Sequence, residues 1–438
     1  MSKIMPAGSD RPGESTGRGE QSRLAGRQWR VLGVLALINL VNYVDRQAIF
    51  PLFPFLRHEF GLTHLQFGSL ATAFTIVLSV GSLPLGMLAD RTSRRMVVSA
   101  GVLFWSAATF LSGLATSFRS LLLARSLVGV GEAAYAPAGA AMVTANFPRE
   151  MRARVQGVFD IGMFAGGAIG IALGGIMAQY FGWRAAFFLV GVPGVLLAFA
   201  ALRLPEPTRQ AAERPFPLRD LARVPAYVTM LLAGWFSSFA GYAYVVWGPE
   251  LVEEYKGFSA GQAGVVLGVT VIVCGGLGVA VGATLSDWLA RRASWGRAGT
   301  IPVGFLLAAP LIYGALHTTQ RTHFVVLFGM GAFFLSWYHG PVTATIHDLI
   351  PEEGHATALG LYYLFVNLFS MALAPVVIGD LADHSNLISA LHAAIVAQLL
   401  GGLLFVVVVL QVRRRSAPKG TSRTPAPANS PEPCHIPR

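Results

Sequence analysis

Between Val31 and Val412 the chain is a succession of apolar runs, each long enough to cross a bilayer and separated from the next by charges and turn residues. No other feature constrains the fold as much, because a helix rising about 1.5 Å per residue needs about 20 apolar residues to span the hydrocarbon core. The first half predicts spans at 31–56, 68–89, 96–116, 121–146, 155–181 and 185–204. The second half predicts six more at 226–252, 263–289, 301–317, 324–349, 356–381 and 387–412. The expected fold is an all-α membrane protein with twelve transmembrane helices in two six-helix bundles. Its parts are a disordered tail (1–28), a first bundle (29–204), a cytoplasmic linker (205–224), a second bundle (225–412) and a second disordered tail (413–438).

Composition agrees with a bilayer setting. Only 13% of residues are charged, about half the roughly 25% of a soluble domain. The net charge of +11 does not point to nucleic acid, because the basic residues sit at the ends of apolar runs. Most of them fall on the side shared by both termini, so positive-inside places both termini in the cytoplasm of a multi-pass protein of the cell (inner) membrane. Residues 1–28 lack the apolar core of a signal peptide, and the segment after Arg415 is too rich in proline to pack. Cys274 and Cys434 make neither a disulfide framework nor a zinc or redox motif, so no metal or cofactor is expected beyond a coupling proton.

The halves repeat one another. Asp90 followed by Arg94-Arg95 recurs as Asp287 followed by Arg291-Arg292, and residues 148–157 (PREMRARVQG) match 351–360 (PEEGHATALG). Halves related by an axis along the membrane normal place a substrate site between them, near the midplane.

Four ionisable residues lie inside spans of the first half: Asp45, Arg46, Arg125 and Glu132. Each costs at least about 2.5 to 3.5 kcal/mol at the bilayer centre, so each demands a partner or water. Counting along the helices puts Asp45 about 18 Å deep, Glu132 about 20 Å and Arg125 near 9 Å. Two acids and two bases can neutralise one another, and a carboxylate can also titrate. Asp160 is a further in-span charge without an assigned role. The second half has no acid at the position matching Asp45 and offers aromatic residues instead. Tyr242, Tyr244 and Trp247, with Trp337, Tyr338 and His339, and Tyr362, Tyr363 and Asn367, are candidates for holding an apolar or amphipathic portion of a substrate, or for ordinary helix packing.

Residues 86–95 (GMLADRTSRR) resemble the signature loop of the major facilitator superfamily, and Gly182-Trp-Arg-Ala-Ala-Phe187 resembles its opening of span six. Topology arginines alone would require neither Gly86 nor Asp90. The resemblance implies a conformational latch of Gly86, Asp90, Arg91, Arg94 and Arg95, with Asp90 accepting helix N-terminal amides while the arginines pair across the cytoplasmic seam. Asn42-Tyr-Val-Asp-Arg46 and residues 127–135 (LVGVGEAAY), with 204–209 (LPEPTR) and 340–344 (GPVTA), resemble the spinster family of lipid transporters. The anion:cation symporter family has similar patterns and is the near alternative. Either resemblance implies Asp45 and Glu132 as the proton-coupling pair and Arg46 and Arg125 as anion contacts; Asn42 and Tyr43 beside them, and Tyr242, Trp247, Trp337 and Asn367 of the second half, are the further candidate substrate contacts. The chain departs from the antiporter-type motif of span five, since residues 166–175 carry its glycines without its proline.

The expected function is proton-coupled secondary active transport of an anionic or amphipathic solute by alternating access, with a lysolipid-like molecule preferred and a sugar-acid or other organic-anion symporter as the alternative. The expected partners are that solute and the lipid bilayer, and the expected state is a monomer. An enzyme is disfavoured, since His347-Asp348 is the sole hint of a catalytic pair and no nucleophile, base and orienting group assemble around it. A non-transporting receptor is the third class. Nucleotide use is disfavoured too, because no Walker pattern exists and Gly129-Val-Gly131 lies within a span.

Overall fold

The computed structural model describes residues 14–206 and 216–416. Among the described residues, twelve long helices make up the two bundles. In the first bundle they are α1 (Glu14–Ala48), α2 (His64–Arg91), α3 (Arg94–Gly113), α4 (Phe118–Ala145), α5 (Arg149–Phe181) and α6 (Trp183–Leu202). In the second they are α7 (Pro225–Tyr255), α8 (Ala260–Ala290), α9 (Gly296–His317), α10 (Arg321–Leu349), α11 (Glu352–His384) and α12 (Leu387–Ser416). Ten of the twelve are apolar enough to be recognised as spans by composition; α1 and α4 fall short, and these two carry Asp45, Arg46, Arg125 and Glu132.

Two boundaries differ from expectation. Residues 14–28, read as tail, are helical, because α1 begins at Glu14. The span expected at 31–56 breaks after Ala48 into a 3-10 turn (Phe50–Leu52) and a separate helix (Phe53–Phe60). Pro51 and Pro54 lack the amide that an uninterrupted helix needs, and each sits where a new helical segment starts. Gly61, at φ 63°, closes that segment in the left-handed conformation with its amide on the Arg57 carbonyl. Helix starts follow ordinary capping chemistry, with boxes at Thr63/Gln66, Ser117/Ser120 and Ser259/Gln262.

Lipid tails offer no hydrophobic drive between helices, so close van der Waals approach holds the bundle together. The glycines of α5 are used this way. A Cβ on Gly166 would stand 2.4 Å from the Leu40 carbonyl oxygen, and one on Gly170 2.5 Å from that of Val44, so this stripe is the seat of α1. Asn39 fastens the same contact by donating to the Phe159 carbonyl at 2.8 Å, and Tyr135 on α4 donates to Leu35 at 3.1 Å.

The two bundles meet in the half remote from the termini. There Gly68 on α2 lies against Pro375 and Val376 on α11, and Gly264 and Gly268 on α8 lie against Ile171, Ala172 and Ala168 on α5. Thr72 donates to the Ala372 carbonyl at 2.5 Å. Phe164 and His339, with ring centroids 5.6 Å apart, touch at mid-height. The second bundle is less regular, with π turns in α7 (Leu251–Tyr255), α8 (Val271–Gly275) and α11 (Asn367–Met371) and a 3-10 turn in α10 (Ser336–Tyr338).

Candidate functional site

The four in-span charges come together as two crossed bridges between α1 and α4. Arg125 Nη1 lies 3.0 Å from Asp45 Oδ1, and Arg46 Nη2 lies 2.6 Å from Glu132 Oε2. Asp45 and Arg46 are consecutive, so they leave α1 about 100° apart and reach different partners. Arg125 and Glu132 are seven residues apart, about two turns, and share one face of α4. Asp45 also accepts from Thr109 of α3, a residue no sequence pattern singled out.

Burial separates the members. The side chains of Asp45 and Arg125 are each 2% exposed and that of Glu132 is 1% exposed, whereas Arg46 keeps 19%. The second oxygen of Glu132 and the Nε of Arg46 are buried without a hydrogen-bond partner, as is the amide nitrogen of Asn42. Arg46 lies over the rings of Tyr43 at 4.8 Å and Phe74 at 5.2 Å, and Arg125 over Phe74 at 5.8 Å and Phe187 at 5.9 Å. Such a site combines buried donors and acceptors in reserve with one cation that remains reachable.

Of the second-bundle aromatics, Tyr242 joins this site. It hydrogen-bonds Thr75 on α2 and packs edge-on to Phe50 at 6.4 Å. Trp247 does not: it is fully buried among Phe53 and His64, each 5.7 Å away, in the seal between the helix ends remote from the termini. Trp337 packs into the second bundle, against Phe333 and Phe334 and over Gly282 and Gly304. Asn367 begins the π turn of α11, with its carbonyl accepting from the amide of Ala372. The side chain of Asp160 lies outside the described residues.

The expected latch has a different chemistry. Asp90 pairs with Arg94 within its own loop at 2.8 Å, and the amides at the start of α3 go to Glu206. Ser93 Oγ donates to Glu206 at 2.5 Å, and the Arg94 and Arg95 amides donate at 2.7 and 3.3 Å. Partial burial would raise the Glu206 pKa, but these donors outweigh it and hold the carboxyl below its usual range. The expectation that Asp90 accepts these amides failed because Glu206 follows α6, far along the chain, and enters the loop only by tertiary folding. In the second half Asp287 and Asp348 converge on Arg297 at 3.7 and 2.5 Å, beside a recess of 760 Å³ also lined by Arg291 and Arg415.

A second charged cluster was not foreseen. At the helix ends remote from the termini Arg57 bonds Glu250 and, at 2.9 Å, Glu254, while His64 lies between Glu250 and Asp383. The available signal was the run of acids Glu250, Glu253 and Glu254 closing span seven opposite Arg57, which closes span one. The Gly182-Trp-Arg motif serves a neighbouring role. Trp183 and Arg184 donate to Glu59 at 2.6 and 3.0 Å and hold its carboxyl below the ordinary range.

The family model described as Major Facilitator Superfamily matches residues 35–375. Among curated relatives, an MFS-type efflux pump of Mycolicibacterium smegmatis is 29% identical over 88% of this chain and 90% of that protein. Protein spinster of Drosophila melanogaster is 27% identical over 81% of this chain and 62% of its own length. A probable galactarate/D-glucarate transporter of Bacillus subtilis is 25% identical over 82% of this chain and 86% of that protein. Among solved structures, a bacterial homologue of the human lysosomal transporter Spinster, in an inward-facing and occupied conformation, superposes with a TM-score of 0.75 at 23% identity, covering 88% of this chain and 96% of that one.

Proposed function

The chain belongs to the Major Facilitator Superfamily, a membrane transporter and not an enzyme, and on that premise we propose that it moves an anionic or amphipathic solute by proton-coupled alternating access, with lysolipid-like molecules the favoured class. The observation that carries this reading is the crossed pair of bridges, Asp45–Arg125 and Glu132–Arg46, buried in the first bundle with one guanidinium still accessible. Apolar packing of similar volume is often no less stable than a buried ion pair, so four such charges in a membrane point to use more than to scaffolding. A proton arriving on Asp45 or Glu132 releases its arginine, and a released arginine can grip a carboxylate or phosphate in a planar fork. Solute and proton then compete or cooperate through the same guanidinium. Tyr43 and Phe74, whose rings lie under Arg46, suit an apolar portion next to that anionic group.

A second reading, a sugar-acid or other organic-anion symporter, is favoured by the similarity to the galactarate/D-glucarate transporter. The site chemistry is shared, since both solute classes present an anion. Purified protein in liposomes, given lysolipids and sugar acids in parallel while internal pH is recorded, separates the two. Uphill movement of lysolipid under an imposed pH gradient supports the first reading, and uphill movement of sugar acid alone selects the second. Transport of either without any pH response overturns proton coupling.

A further inference from the structure

Apart from the buried bridges, one group of titratable side chains crosses the boundary between the bundles. His64, the first residue of α2, places Nδ1 2.7 Å from Asp383 Oδ1 on α11 and Nε2 3.2 Å from Glu250 Oε1 on α7. Nδ1 is hydrogen-bonded to Asp383, while Nε2 faces Glu250 as a close charge contact without hydrogen-bond alignment, so a ring that carries hydrogen on both nitrogens, and with it a positive charge, is the form matched to both carboxylates. A neutral imidazole would aim a lone pair at one of them. The surroundings do not supply that charge by other means. From α7 come Glu250, Glu253 and Glu254; from α11 comes Asp383, with Asp380 and His384 on the same helix; from the Phe53–Phe60 helix comes Arg57, whose guanidinium is spent on Glu250 and Glu254. Asp383 also accepts the amides of His64 and Leu65 at 2.8 and 2.9 Å, so it fixes the start of α2 from the opposite bundle. Glu250 is wholly buried.

We infer that the outer seal is itself a proton-binding site: one proton, shared by His64 with Asp383 and Glu250, is bound while the outer ends are closed and given up on that side when they part. His64 belongs to the first bundle and both carboxylates to the second, so parting the ends takes the ring away from both acceptors at once. A proton held by one conformation and not by the other must favour the conformation that holds it. Falling pH therefore closes the outer ends and rising pH loosens them, until acid strong enough to protonate the carboxylates removes the effect. This site is separate from Asp45 and Glu132 and depends on no choice of solute, so its test reads conformation and not transport.

The test places spin labels at the exposed Thr116 and Thr319, one at the outer end of each bundle, through T116C and T319C in the full chain with Cys274 and Cys434 replaced by serine. Asp45→Asn and Glu132→Gln silence the buried bridges, and label separation is measured in lipid nanodiscs at pH 5.5 and pH 8. The ratio of closed to open populations is expected to fall on the order of tenfold from the lower to the higher pH, within the usual range of coupling between two sites. His64→Gln is expected to abolish that change. Where His64→Gln does not yield folded protein, Asp383→Asn decides by the same loss. Populations independent of pH in the parent, or a full pH response in either variant, overturn the inference.

Discussion

Arg125 donates to Asp45 at 3.0 Å, although Arg46 is the residue adjacent to Asp45 in the chain. Arg46 turns instead toward Glu132, at 2.6 Å. The bridges therefore cross between α1 and α4, and each binds a residue of one helix to a residue of the other. Within this crossed set the two arginines are unequal, since Arg125 is sealed between Asp45 and two aromatic rings while Arg46 retains access.

Lysine substitution should separate these two roles. Arg46→Lys keeps the charge but loses the fork, and is expected to raise the half-saturation constant for the transported anion about tenfold with little loss of thermal stability. Arg125→Lys is expected to act chiefly on stability, by a large fraction of the roughly 3–5 kcal/mol associated with breaking a buried pair. Transport kinetics and thermal unfolding of both variants, with R219K in the linker as control, check this. Equal kinetic defects in both would return Arg125 to the anion site.

Glu206 offers a test of how the loop between α2 and α3 is held. Its carboxylate caps α3 and is held below the usual range, so its stabilising effect is present above the unfolded carboxyl value of about 4.3 and fades as pH falls through the lower folded value. Because the group is partly exposed, the effect is expected to be on the order of 0.5 kcal/mol. Glu206→Gln should melt slightly earlier than the parent at pH 7, and the gap should close toward pH 3. A gap that persists at pH 3 would show that charge is not the cause.

The glycine stripe of α5 sets the position of Asp45 through α1. Gly170→Val would drive a side chain into the Val44 carbonyl, at 2.5 Å from the new Cβ. The expected cost is about 1–3 kcal/mol, with a matching fall in transport because Val44 precedes Asp45. Thermal unfolding and uptake, measured on one preparation, should fall together. Unchanged stability would mean that α1 and α5 separate more readily than their packing indicates.

Much of this arrangement could be read in the sequence. The helices of the two bundles follow from the apolar runs, and Asp45, Arg46, Arg125 and Glu132 stood out because charge within a span has no cheap explanation. Counting turns put Asp45 and Glu132 near one depth but left open which acid meets which arginine. What could not be read depended on chain segments that meet only in space. Glu206 caps a helix that starts more than a hundred residues earlier, and Thr109 is an ordinary hydroxyl until α3 carries it to Asp45. Trp247 and Trp337 shared the aromatic character of Tyr242, but the side of the helix on which each lies sent one to the outer seal and the other into the second bundle. Residues 14–28 look too polar to order alone, yet they continue α1.

The proposed coupling is tested most directly by pH-driven accumulation in liposomes, comparing the parent with Asp45→Asn and Glu132→Gln on the solute that the parent transports. Asparagine and glutamine keep the shape of each acid and remove its proton site. Accumulation against a gradient should be lost in at least Asp45→Asn, while solute exchange at equal pH on both sides should remain measurable. Accumulation at the parent level in both variants would contradict proton coupling through the Asp45–Arg125 and Glu132–Arg46 bridges.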